Sequence, residues 1–341
     1  MTPGRSSESP SDRMKDGMSA LRVHGGRVDI AARLYPDAPR PWLDLSTGIN
    51  PQPWVPHSWI EVDTHALPSP DALLDLEAVA ADVFGTTPDR VVALPGSEIG
   101  LRSLDALDLP SPFRVVVPSY GTHAEAFANA QCIDRAAIDG VTTGTVLLAN
   151  PNNPDGRRDA PERLVGVARR GVWLVVDEAF ADVVPETSIV PHLTTDDRAV
   201  VFRSFGKFFG LAGLRLGFMI APVDLATAMR RRLGSWPVSA QAIAYGRAAY
   251  RDTAWQTQAR RSIGARADRL DVLLRGHGIA ASGECPLFRL VEHDSADAIF
   301  ARLAHAGILT RRFDYAPRWL RLGVPGDEAA FARLDTALAH G

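Results

Sequence analysis

The chain has 341 residues, of which 46% are hydrophobic and 23% charged, with a formal net charge of -3 at pH 7. This is an ordinary globular composition, long enough for one large domain plus a smaller one, and the near-balanced charge gives no reason to expect a nucleic acid or a membrane surface as partner. No apolar run approaches the ~18 residues needed to span a bilayer, and the polar start MTPGRSSESPSDRMKDGMSA lacks the apolar core of a secretion signal, which predicts a cytoplasmic protein.

Residues 1–18 read as a disordered tail. The following segment, 19–60, is interrupted by proline-rich patches at 36–41 and 51–56 and is expected to pack on the smaller domain. From about residue 69, helix and strand alternate. DALLDLEAVAADVFG (71–85) has helical apolar spacing and ends on Gly85. RVVALPG (90–96) predicts a strand and a turn. RVVVPSY (114–120), TVLLANP (145–151), VWLVVDEAF (172–180) and AVVFRSFG (199–206) are short β-branched runs of the kind that fill a parallel sheet buried on both faces. A large doubly wound α/β domain is therefore expected over 61–235. Beyond it, 238–278 reads as long and helical. PLFRLVE (286–292), ADAIFARLAHAG (296–307), ILTRRF (308–313), WLRLGV (319–324) and DEAAFARLDTALAH (327–340) then alternate strand and helix. That predicts a linking helix and a small α+β C-terminal domain over 236–341. Cys132 and Cys285 are far apart and fit no metal-ligand spacing, so two inert thiols and no metal are expected.

Chemistry is expected where strands end, because ligands of open α/β sheets bind beyond the carboxyl ends of the strands. Gly96, Ser97 and Glu98 follow the strand near Leu94 and open a helix, which makes either an anion site or an ordinary cap with Ser97 closing the helix start. Tyr120 follows RVVVPS and either stacks on a flat ring or packs as a surface residue; His123, three residues on, is equally ambiguous. NPNNPDG (150–156) reads either as a plain turn or as a turn presenting the Asn153 amide to a ligand oxygen. Asp177 ends an almost wholly apolar strand and must have a partner, either an arginine or helix N-terminus or a cationic nitrogen on a cofactor. Lysine occurs only at Lys15 and Lys207 in a chain that otherwise places its positive charge on arginine. Lys207 lies in the glycine-rich apolar stretch SFGKFFGLAGLRLG. Arginine stays protonated, whereas a desolvated lysine can lose its proton and attack a carbonyl. Ser204 precedes it by three residues, and Arg215 further on suits a phosphate. The order of these groups along successive strand ends matches the needs of an aldehyde-and-phosphate cofactor with a pyridine ring.

Together the motifs PGSE, PSY, NPNNPDG, VVDEAF and SFGKFFGLAGLRLG resemble the pyridoxal-phosphate-dependent class I/II aminotransferase superfamily, of aspartate-aminotransferase-like fold, over nearly all of the chain after residue 20. Within it, VHGG (23–26) and LDLSTGINP (43–51) resemble the threonine-phosphate decarboxylases of cobalamin biosynthesis, in the branch that also holds the histidinol-phosphate aminotransferases. The resemblance implies pyridoxal 5'-phosphate as cofactor and a homodimer. Lys207 would bind the cofactor aldehyde as a Schiff base, Asp177 pair with the protonated ring nitrogen, Asn153 reach the phenolic oxygen and Tyr120 stack on the ring. Gly96 and Ser97, with Ser204 and Arg215, would form the phosphate site, and Glu98 would also belong to the cofactor-binding set. His24, Gly25, Asn50, Arg311 and Arg321 would bind an amino-acid phosphate substrate, with Arg321 on its carboxylate and Arg311, or its neighbour Arg312, at the other end.

Three departures thin the cofactor contacts. Phe180 stands where many relatives have a tyrosine, Gly206 where they have Ser or Thr, and Leu67 where they lend a tyrosine to the partner subunit. The implied reaction is decarboxylation of L-threonine O-3-phosphate to (R)-1-aminopropan-2-yl phosphate. The alternative is an aminotransferase acting on histidinol phosphate or a related amine. Both use the same residues, and the choice lies in which substrate bond is turned perpendicular to the ring. A cofactor-binding scaffold without turnover is a third reading, disfavoured by the joint presence of Lys207, Asp177, Asn153 and Arg215.

Overall fold

The computed structural model describes Leu21 and residues 24–339; the expected tail 1–18 lies outside them. It divides into two compact units, one of residues 49–265 and 283–287, the other of residues up to 48 with 266–282 and 288 onward.

The larger unit is built on a seven-stranded sheet. Its strands are β1 (Val91–Leu94), β2 (Phe113–Val117), β3 (Gln131–Asp134), β4 (Thr145–Ala149), β5 (Trp173–Asp177), β6 (Ala199–Ser204) and β7 (Gly217–Ile220). The spatial order is β1-β7-β6-β5-β4-β2-β3. Neighbours from β6 to β3 run parallel, and β7 alone is antiparallel to both of its neighbours, so β1 points the same way as β6. This is the expected α/β architecture with a mostly parallel sheet. The central strands β4 and β5 are buried except for Trp173 at the start of β5, as their Val/Leu runs require, each large apolar side chain contributing about 1.5–3 kcal/mol by leaving water. The helix Pro70–Phe84 starts on a proline and stops at Gly85, whose φ of 72° gives the left-handed cap that glycine adopts without strain. Residues 238–278 are helical but interrupted, as Ala240–Arg251 and Thr253–Gly276 meet at Asp252.

The smaller unit holds a four-stranded antiparallel sheet in the order Arg311–Arg312, Trp319–Gly323, Phe288–Glu292, Ala281–Ser282. A separate parallel pair joins Leu43–Asp44 to Ile308–Leu309. The expected strand ILTRRF is thus two short strands in two sheets. Leu270, Phe300, Leu303, Leu320, Leu322, Phe331 and Leu334 form the core of this unit.

The division falls inside the helix Thr253–Gly276, between 265 and 266, rather than between 235 and 236. Residues 49–60 belong to the larger unit and not with 24–48, because the backbone of Asn50 and Trp54 hydrogen-bonds to residues 207 and 209. No disulfide joins the exposed Cys132 to the buried Cys285. Among the described residues no helix is long and apolar enough to cross a membrane, and no cluster of His, Cys, Asp and Glu could hold a metal.

Candidate active site

The parallel strands deliver their C-terminal ends to one edge of the large sheet, and the polar residues sit there. At β1 the chain turns at Gly96 and enters the helix Ser97–Arg102. Gly96 has φ 91°, and a Cβ on it would lie 2.8 Å from Nη2 of Arg215. The missing side chain is what lets a guanidinium lie against a helix start. Ser97 is the first helical residue and Gly96 the cap, so the serine does not close the helix. Arg215 is an exposed non-glycine residue at φ 54°, ψ 50°, a strained conformation of the kind that persists at binding sites. Gly217 opens β7 with its Cα turned onto the Ser97 amide, leaving no space for a side chain. Glycines, helix N–H groups and an arginine thus make a cradle with donors and charge suited to a phosphate. Ser204 caps the lysine helix without spending its hydroxyl on the cap.

Asp177 ends β5, nearly buried, and its Oδ1 accepts from the Ala179 amide at 3.1 Å. Its Oδ2 lies 3.0 Å from Nε2 of His123, which is fully buried. The residue that was ambiguous in the sequence is therefore the partner of the buried acid. The two meet because β2 and β5 flank β4 and end at the same edge. The ring of His123 stands edge-on to that of Tyr120, with centroids 5.8 Å apart. Burial, followed by the nearby Glu98 charge, pushes the Tyr120 phenol up to about 12, so it stays protonated at any working pH. Glu98 itself accepts from Thr122 at 2.8 Å and from Arg102 at 2.7 Å. It braces the loop around Tyr120.

In the turn after β4, Asn150 and Asn152 commit their amides to the scaffold. Asn150 bonds to Asp159 and Thr187, and Asn152 to Pro118 and Asp155. Asn153 is half-buried within the turn that these two hold. Lys207, also half-buried, sits in the short helix Phe205–Phe208 directly after β6. A Cβ on the preceding Gly206 would be 2.6 Å from Cα of Ala212, which explains the absence of Ser or Thr there. Asn50 is almost fully buried, with Nδ2 donating to the Phe208 carbonyl at 3.0 Å and Oδ1 accepting from the Gln52 amide.

The larger unit therefore gathers Gly96, Ser97, Glu98, Tyr120, Asn153, Asp177, Ser204, Lys207 and Arg215 along one sheet edge. The set fits pyridoxal 5'-phosphate by its chemistry: an amine for the aldehyde, a buried carboxylate for the ring nitrogen, an aromatic for the ring and a cradle for the phosphate.

In the smaller unit, Arg311 and Arg321 are direct cross-strand partners. Arg321 is buried, lies over Phe288 and donates to the Ser46 carbonyl at 2.9 Å. The Ser46 hydroxyl also accepts from the Gly26 amide at 2.7 Å, so the VHGG segment and Arg321 meet at one serine. Gly25 packs against Ser46 too closely for any side chain, and His24 is exposed beside it. Arg312 is committed elsewhere, to an ion pair with Asp297 and to the face of Phe300, which disfavours it as a substitute for Arg311.

Residues 42–338 match the family model for aminotransferase class I and II. The chain is 41% identical to a threonine-phosphate decarboxylase from a Sinorhizobium species, over 95% of this chain and 99% of that protein. It is 40% identical to a threonine-phosphate decarboxylase from Pseudomonas aeruginosa, over 92% of this chain and 96% of that one. Among solved structures, the histidinol-phosphate aminotransferase of Sinorhizobium meliloti in complex with pyridoxal-5'-phosphate superposes with a TM-score of 0.78 at 21% identity, covering 99% of this chain and 98% of that one.

Proposed function

The chain belongs to the aminotransferase class I and II family, and from that premise we propose that it decarboxylates L-threonine O-3-phosphate to (R)-1-aminopropan-2-yl phosphate, with pyridoxal 5'-phosphate as cofactor. The observation that carries the proposal is the match, along nearly the whole chain, to two proteins named threonine-phosphate decarboxylase. The Arg311–Arg321 pair supports it chemically. Two guanidinium groups on neighbouring strands suit a substrate that bears both a phosphate and a carboxylate.

When bound, the cofactor supplies an electron sink for the bond broken at the substrate Cα. Lys207 would hold its aldehyde and would supply the proton that returns to the substrate Cα. Asp177 holds a proton on the ring nitrogen, and His123 holds Asp177. Tyr120 would pack on the ring as a neutral phenol, Asn153 would bond the phenolic oxygen, and Gly96, Ser97, Ser204 and Arg215 would hold the phosphate. Arg321 orients the substrate carboxylate so that its bond to Cα is the one that breaks. Arg311 and His24 bind the substrate phosphate.

The test is a product assay on the purified, cofactor-loaded protein with L-threonine O-3-phosphate, with and without 2-oxoglutarate. CO2 and aminopropanol phosphate without any oxo acid are expected. Glutamate formed only with 2-oxoglutarate would replace the decarboxylase by an aminotransferase, with histidinol phosphate the next amine to try.

The proposal extends to a homodimer in the cytoplasm. Its support is a set of large apolar side chains left exposed on the larger unit, Trp59 (89%), Leu67 (66%), Leu74 (58%) and Trp236 (52%). Leu74 and Trp236 line an apolar cavity of about 310 Å³. A mass measurement by light scattering reads twice the chain mass if the proposal holds.

A further inference from the structure

The lysine-bearing helix is only four residues long. A helix that short offers its last carbonyls few partners of its own, the Gly210 amide reaching the Lys207 carbonyl only at 3.4 Å. Three consecutive carbonyls of the segment also accept from one stretch of chain from far away in sequence. The Asn50 amide donates to the Lys207 carbonyl at 2.9 Å, Asn50 Nδ2 to the Phe208 carbonyl at 3.0 Å, and the Trp54 amide to the Phe209 carbonyl at 2.8 Å. The approach is close: a Cβ on Gly210, which sits at φ 69°, would lie 2.7 Å from Cα of Pro53 and 2.8 Å from the Asn50 carbonyl oxygen.

The stretch is itself anchored. Trp54 is buried, its ring edge-on to Tyr245, and its Nε1–H donates to Oδ2 of Asp252 at 2.9 Å. The same carboxylate oxygen lies 3.0 Å from Nε2 of His57. Oδ1 of Asp252 accepts from the Trp255 amide at 3.0 Å, which closes the start of the helix Thr253–Gly276. The ring of Trp255 in turn stacks on Phe209. Asp252 thus fixes the stretch to a helix that already packs beneath the lysine segment.

We infer that residues 50–54 form a strap that positions Lys207 by holding the carbonyls around it, with the Trp54–Asp252 hydrogen bond as its anchor. This deepens, and rests on, the reading of Lys207 as the lysine that binds the cofactor aldehyde. Trp54 and Asp252 are positioning residues that act through the strap. Their effect is on where the lysine amine stands, and misplacement by about 1 Å can cost on the order of a hundredfold in rate.

The test is Trp54→Phe in the holoenzyme, which removes the N–H donor and keeps an aromatic ring. Hydrogen–deuterium exchange at the Asn50 and Trp54 amides is expected to rise roughly tenfold, the factor for losing a hydrogen bond to a charged group at the low end of its range. Peptides from β4 and β5 are expected to keep their wild-type protection. The pH at which the absorbance band of the bound cofactor changes is expected to shift, and kcat to fall with KM held within about twofold. Asp252→Asn, whose Oδ1 keeps the helix cap while its NH2 sets a donor against the Trp54 N–H, is expected to do the same at least as strongly. Unchanged exchange at 50 and 54, exchange raised uniformly along the chain, or local loosening with an unmoved band and kcat would each overturn the inference. If the wild type decarboxylates nothing but exchange and band respond as stated, the proposed reaction fails and the strap stands.

Discussion

The acid of the proposed ring site adjoins one buried ionic cluster in sequence, and its central cation is the most informative residue to remove. Arg203 precedes Ser204 at the end of β6, and Glu178 follows Asp177 at the end of β5. Nη1 of Arg203 donates to Glu178 at 3.0 Å, and Nη2 pairs with Asp182. All three side chains are at most 5% exposed. Burial pushes the Arg203 guanidinium down, but the charges of Asp182 and Glu178 outweigh it and hold the group above its ordinary value. Burial raises the Glu178 carboxyl, with Arg203 the strongest of the groups opposing the rise.

Arg203→Met keeps the packing against Phe84 and leaves two buried carboxylates with no cation between them. Breaking a buried pair from one side costs about 3–5 kcal/mol, which in a unit of this size lowers Tm by on the order of 10 °C. The sign of the pH dependence follows from Glu178. A carboxyl whose folded pKa is raised binds its proton more tightly when folded, so its contribution is lost as pH climbs from the unfolded value toward the folded one. Without Arg203 the folded value rises further and the loss continues to higher pH. The deficit of the variant is therefore expected to be largest near pH 8. It should shrink toward pH 5.5 by about 1.4 kcal/mol for each pH unit over which the folded variant holds the Glu178 proton and the folded wild type does not. Thermal melts of both proteins across pH 5.5–8 measure it. A Tm difference below about 2 °C, or one that is the same at every pH, would refute the account of the cluster as ionic and buried.

Four further outcomes are expected. His123→Asn is expected to retain the fold and lower kcat about tenfold with little change in KM, because it alters the group that holds Asp177 and touches no substrate; steady-state kinetics check it. Gly206→Ser is expected to cost about 1–3 kcal/mol in urea denaturation, since its Cβ would meet the Ala212 backbone, even though it restores the hydroxyl common among relatives. Arg321→Gln is expected to lower kcat/KM about 10- to 100-fold through the lost charge-assisted contact, whereas Arg312→Leu lowers Tm through its Asp297 pair and leaves KM for the phosphorylated substrate within about twofold.

The strands that carry the proposed site were legible because they are buried on both faces. A continuous apolar run such as WLVVD has one stable place, and a charge at its end has to be explained. Two strands of the same sheet were not legible, for opposite reasons. Gln131–Asp134 is one of the two edge strands, mostly exposed, and carries no apolar run. Gly217–Ile220 is buried, but its residues merge into the glycine-rich lysine stretch, and nothing local marks that the chain reverses there. The same distinction holds among the site residues. Lys207, Asp177 and Arg215 announce themselves by being charged in apolar or glycine-rich surroundings. His123 does not, because its meaning lies in a carboxylate fifty-four residues away. That contact exists only once β4 is inserted between β2 and β5 and brings their ends level. Asn50 shows the converse. Its motif pointed toward substrate, while its amide caps the Phe208 carbonyl and its backbone the Lys207 carbonyl. Hydrogen bonds made to backbone carbonyls leave no trace in the identity of the residues that own them, so a strap of this kind is invisible from the lysine's side of the sequence.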